Sequence, residues 1–119
     1  MNDWGYVNWS PELGQLLVHP DDVSLFGSGV QGLLGIVTPD QDGWVSFRFG
    51  ESSARIKQQL IHPCAAPVFS YGQLVQAQPP RTPFAGEIRA IQWHFKHNEP
   101  FFLVGPKHSR YFSHELHAA

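Results

Sequence analysis

The sequence predicts an all-β protein in which one small, hairpin-rich unit is used twice, giving two small barrels. Three observations carry this prediction. Ten Pro and eleven Gly in 119 residues interrupt the chain too often for long helices and favour short strands joined by turns. A hydrophobic content of 42% is enough to build a core beneath such strands. Residues 32–60 and 86–116 also follow the same plan of residue types. A glycine opens an apolar strand, a turn follows, an aromatic strand returns to Gly50 or Gly105, and Arg55 or Arg110 stands five positions beyond. Spacing and type repeat although the letters do not, which is the mark of a duplicated structural unit. Units of about 55 residues bury too little surface to be robust alone, so the two are expected to pack together.

The elements follow in order. In the lead-in, residues 4–23, Ser10 is placed to cap a short helix at Pro11-Glu12-Leu13-Gly14, with Pro where its missing N–H does no harm and Gly14 as the stop. His19-Pro20-Asp21-Asp22-Val23 reads as a turn or a helix start whose positive end suits the two acids. The glycines of residues 27–32 permit tight turns before an apolar strand at 33–37. In Pro39-Asp40-Gln41-Asp42-Gly43, Pro fixes φ, Asp bonds nearby backbone and Gly accepts a positive φ, so this is a turn. Trp44, Ser46 and Arg48 then alternate with Val45, Phe47 and Phe49, the two-residue period of a strand. Residues 55–61 suit a strand end, a single 3₁₀ turn or a short helix. The two prolines of His62-Pro63-Cys64-Ala65-Ala66-Pro67 mark a linker between a first unit at 1–63 and a second at 68–119.

In the second unit, residues 69–77 read as a turn into a strand, and 78–83 as a polar, proline-rich loop. Strands are expected at 86–93 and 100–104, joined at a tip formed by 94–99, and a last strand at 110–112. Ser113-His114-Glu115-Leu116 is the terminal turn that seats Leu116 in the core.

The run F-S-Y-G-Q-L-V-Q-A, then G-E-I-R-A-I-Q-W, P-F-F-L-V and R-Y-F-S-H-E-L resembles the SH3-like barrels of the KOW and Tudor type. Through the internal repeat, the resemblance extends loosely to the first half. It implies two tandem SH3-like barrels packed together, with a short N-terminal helical segment. It also implies partner contacts on exposed aromatics, here Trp44, Trp93, Phe95 and Tyr111. The acidic loop of SH3 peptide binders and the full aromatic cage of methyl-lysine readers are both missing from the pattern, so neither ligand carries over. H-P-D-D with W-H-F-K and R-Y-F is similar to a family of small uncharacterised bacterial proteins.

Eight basic and ten acidic residues give a formal charge of −2, so no global field draws in a polyanion. The single Cys64 permits no internal disulfide and suits a reducing compartment. The first residues lack both a basic start and an apolar run, and no stretch reaches the roughly 18 apolar residues of a membrane span. A cytoplasmic protein without membrane contact is expected.

The motifs that carry chemistry are weak. His94-x2-His97 and His114-x2-His117 have a spacing that a tight loop can bring to one zinc ion, but one Cys and no His-Glu-x-x-His helix leave exposed histidines as the simpler account. Cys64 lies two residues from His62, yet Pro63 and Ala65 suit an inert buried thiol better than a nucleophile. Asp40 and Asp42 lack the Glu that completes a calcium loop, and turn chemistry accounts for them. The glycines of 27–32 are not followed by Lys-Ser or Lys-Thr, so they form no phosphate loop.

Arg89, Trp93, His94, Lys96, His97, Lys107, His108, Arg110 and Tyr111 place a locally basic, aromatic surface in the second unit. It suits an acidic protein, where Trp, Tyr and Arg supply most of the contact energy, or a nucleic acid, whose bases would stack on the rings. The expectation is a non-enzymatic, cofactor-free binding module without a metal site. Its partner would be another protein, in the manner of an immunity protein or an inhibitor of a toxin or enzyme. Trp44, Arg48, Trp93, His94, Lys96, Arg110 and Tyr111 are its contact residues. A nucleic-acid module using the second unit is the alternative, and a small metal-binding protein the third reading.

Overall fold

The computed structural model describes residues 3–13 and 17–119; the helix stop expected at Gly14 lies outside the described residues. These form ten strands and four short 3₁₀ turns, so the protein is all-β. The chain falls into two compact units, Met1–Ala66 and Pro67–Ala119. No helix among the described residues is long and apolar enough to cross a membrane.

The first unit holds β1 (Asp3–Trp9), β2 (Val30–Pro39), β3 (Val45–Phe49), β4 (Ser52–Ile56) and β5 (Ile61–Cys64). All pair antiparallel in the order β5-β1-β2-β3-β4. The lead-in therefore begins as a strand, and its helical part is confined to 3₁₀ turns at Pro11–Leu13 and Pro20–Phe26. In β1, Gly5, Val7 and Trp9 are buried and alternate with Trp4, Tyr6 and Asn8. Two of the three outward residues, Trp4 and Tyr6, are themselves aromatic, which hides the two-residue period from a polarity pattern.

The expected linker also starts as a strand. Within this unit β5 pairs with β1 alone, Pro63 standing opposite Gly5, and a strand paired on one side tolerates the missing N–H of proline. Between β2 and β3 the turn forms as its residues require. Asp40 Oδ1 accepts the Gln41 N–H at 2.7 Å, and Asp42 and Gly43 take φ of 60° and 82°. Val7, Trp9, Val18, Phe26, Phe47, Ala54, Ile56 and Leu60 make the core.

Asp22 ties the Pro20–Phe26 turn to β4. Its carboxylate accepts the Arg55 N–H at 2.8 Å and the Arg55 Nε–H at 2.9 Å. The Arg55 bond outweighs burial and holds the carboxyl below its ordinary range. A carboxyl lowered on folding stabilises the native state above its unfolded pKa of about 3.9, and that contribution is lost as pH falls through the folded value. Asp22→Asn is expected to cost about 1–2 kcal/mol at pH 7. It should also flatten the fall of the urea midpoint below about pH 4, and an unchanged acid limb would refute this role.

The second unit repeats the sequence of elements. It holds β6 (Leu74–Ala77), β7 (Ala85–His94), β8 (Glu99–Val104), β9 (Ser109–Phe112), a 3₁₀ turn at Ser113–Glu115 and β10 (Leu116–Ala118). The strands pair antiparallel in the order β10-β6-β7-β8-β9. In each unit a 3₁₀ turn separates the fourth strand from the fifth, and the fifth pairs with the first; the first unit adds two 3₁₀ turns between β1 and β2. Gly50 and Gly105 occupy the β3–β4 and β8–β9 turns, and Arg55 and Arg110 the strands that follow. Leu60 and Leu116 at the ends of the 3₁₀ turns are both buried. The terminal turn thus leads into β10, three residues long and bonded to β6, too short to leave a periodic signal.

Candidate ligand pocket in the second unit

The tip between β7 and β8 is closed by the Asn98 N–H, which donates to the His94 carbonyl at 2.7 Å. One residue earlier, the His97 N–H donates to His94 Nδ1 at 3.1 Å. With Nδ1 accepting, the hydrogen of the imidazole stands on Nε2, where it can donate. The same bond draws the two imidazoles to 4.5 Å between centroids. His97 lies flat on Phe112 of β9, 4.8 Å away and 10° from parallel. His94 stands edge-on to Phe112 at 5.1 Å and to Phe101 of β8 at 5.7 Å. His114 of the 3₁₀ turn lies 7° from parallel to Phe112 at 6.0 Å.

Two guanidiniums complete the wall. Arg81, from the loop between β6 and β7, lies 4.0 Å over the Tyr111 ring and holds Glu115 Oε2 at 2.8 Å. The other oxygen of Glu115 accepts the Phe112 N–H at 2.8 Å. Burial alone would raise the Glu115 carboxyl, but the Phe112 N–H and Arg81 outweigh it and hold the group below its ordinary range. Arg110 is exposed, 5.5 Å over the Phe101 ring, and forms no ion pair among the described residues. These nine residues line a hollow of about 430 Å³, of the size that holds a small ligand or one side chain.

Of the expected contact residues, His94, Arg110 and Tyr111 meet here. Tyr111 is a correction: at 6% exposure it is the floor under Arg81 and not an exposed anchor. Lys96 is exposed at the β7–β8 tip, and Trp93 is half-buried on β7. Trp44 and Arg48 belong to the first unit, where Trp44 faces His19 at 5.0 Å and Lys57 Nζ at 4.1 Å, and Arg48 is exposed on β3. Sequence reasoning missed Arg81, Phe101, Phe112 and Glu115 as members of one site. Phe112 and Glu115 were legible only as fold positions, and Arg81 comes from a loop that no local pattern joins to β9.

One histidine pair stays together and the other separates. His94, His97 and His114 line the hollow, while His117 bonds Gln76 Oε1 at 2.9 Å. Among the described residues no three His, Cys, Asp or Glu side chains are placed to hold a metal ion. In the first unit, the His62 ring stacks on Tyr6 at 4.9 Å, and burial pushes the Cys64 thiol up, away from a reactive thiolate.

The two units differ in charge. The first carries three basic and seven acidic residues and the second five and three, or −4 and +2 with histidines neutral. No curated protein and no solved structure matches the chain. The model of the family described as "Family of unknown function (DUF6960)" matches residues 1–117, and the chain belongs to that family.

Proposed function

We propose that this protein is a non-catalytic binding module, made of two tandem SH3-like barrels, whose second unit captures an acidic surface of another protein. The repeated order of four strands, a 3₁₀ turn and a fifth strand returning to the first supports the barrel reading. The observation that carries the function is the hollow between β7, β8 and β9, where an unpaired Arg110 and the Nε2 of His94 stand among aromatic rings. Aromatics and Arg are the side chains that dominate protein contacts, and a charge left unpaired at the rim is matched by an opposite one on the partner. A cytoplasmic immunity protein or inhibitor, which works by covering a toxin or enzyme, needs only such a surface.

The test is affinity capture from the source cells with the wild type and two charge reversals. A stoichiometric companion held by the wild type and by Arg48→Glu, and at least tenfold depleted on Arg110→Glu, is the expected result. The same spectrum of proteins on all three, or loss on Arg48→Glu alone, would overturn it. RNA or single-stranded DNA retained at low salt and released by Arg110→Glu would point to the nucleic-acid reading instead.

A further inference from the structure

The pocket contains a worked example of what it binds. Arg81 rests on Tyr111 and holds the carboxylate of Glu115. Arg110 stands over Phe101 at the longer distance of 5.5 Å, and no carboxylate of the described residues pairs with it. The two guanidinium-on-ring pairs line one hollow, and only one of them has its acid.

Building on the protein-binding reading, we infer that the vacant half takes a single carboxylate presented beside an aromatic side chain of the partner. The carboxylate binds the planar fork of Arg110, which matches its two oxygens, with the Nε2–H of His94 as a second donor. The neighbouring ring packs against the stacked pair of His97 and Phe112, where offset and edge-to-face arrangements add to area burial. Charge decides against a polyanion. Apart from its imidazoles, the hollow is lined by two guanidiniums and one carboxylate, and since Glu115 is held by Arg81, Arg110 is left for one further carboxylate. A phosphodiester chain needs a track of unpaired cations, whereas Arg110 is the one guanidinium of the hollow without an ion pair among the described residues. The hollow of about 430 Å³ also suits one amino-acid side chain with its acid better than an extended strand.

The experiment is an NMR titration of the full chain with N-acetylphenylalanine, its amide, N-acetylalanine, adenosine monophosphate and inorganic phosphate. N-acetylphenylalanine is expected to bind in the millimolar range, shifting His94, His97 and Phe112. The amide and N-acetylalanine should bind at least tenfold more weakly. Arg110→Gln, at an exposed position, is expected to leave the fold unchanged and to make the acid and its amide equivalent. Equal binding of acid and amide, shifts elsewhere on the chain, unaltered preference in Arg110→Gln, or tighter binding of either phosphate compound would overturn the inference. If Arg110→Glu loses the captured companion while N-acetylphenylalanine leaves the spectrum untouched, this inference fails and the protein-binding reading stands. If N-acetylphenylalanine binds as described but the companion ignores Arg110, that reading fails instead.

Discussion

Replacing Phe47 with alanine is expected to destabilise the first unit by about 3–5 kcal/mol, the range for deleting a fully buried phenyl ring. Phe47 is 0% exposed and lies at the centre of β3, opposite Val37 of β2 and Ala54 of β4. Its ring continues an aromatic chain: it lies 5.6 Å from Phe49, which lies 5.6 Å from Phe26, which lies 6.0 Å from Trp9. Removing it forfeits the transfer energy of the ring and leaves a hole bordered by strands that cannot close independently. Domains of this size have about 5–15 kcal/mol in total, so a large share of the first unit's stability goes with one side chain. Val68→Ala, at a side chain 70% exposed, should stay within about 0.5 kcal/mol. Urea unfolding followed by far-ultraviolet circular dichroism measures both, and a loss under about 1 kcal/mol for Phe47→Ala would mean the ring is not the keystone described.

Phe47 also shows what was legible in the sequence. The alternation Trp44 to Phe49 and the Pro-Asp-Gly turn before it depend on neighbours in the chain, so a local pattern reveals them. The last strand of each unit, β5 or β10, depends on a partner far away: Ile61 on Val7 and Leu116 on Ala77. Nothing inside His62-Pro63-Cys64 or Leu116-His117-Ala118 announces those pairings. The pocket divides in the same way. His94 and His97 are three residues apart and a turn suffices to join them, whereas Arg81 reaches Glu115 across 34 positions through the β6–β7 loop. The spacing of His114 and His117 suits one metal ion as well as two exposed side chains, and nothing in it tells that the fold sends His114 toward Phe112 and His117 toward Gln76.

Gly35→Ala is expected to cost about 3 kcal/mol, although it adds one methyl group. Gly35 lies within β2 opposite Gly5 of β1, and its φ is outside the left-handed region, so backbone strain contributes nothing. Space is what fails. A Cβ built there would stand 2.6 Å from the Arg48 carbonyl oxygen and 2.7 Å from Phe47 Cζ. A glycine at such a point marks strands that approach more closely than side chains allow. The two collisions respond differently to a second change. Phe47→Leu withdraws the far end of the ring, so part of the overpacking should vanish in that background, giving a coupling of about 0.5–1.5 kcal/mol. The Arg48 carbonyl belongs to the β3 backbone and cannot retreat without disturbing the ladder with β2, so most of the cost should remain. The second unit offers the same test at Gly86, whose added Cβ would collide with the Gly105 carbonyl oxygen. A neutral Gly35→Ala would show that the strands have room for a Cβ, and complete rescue by Phe47→Leu would show that the ring alone, and not the Arg48 carbonyl, excludes it.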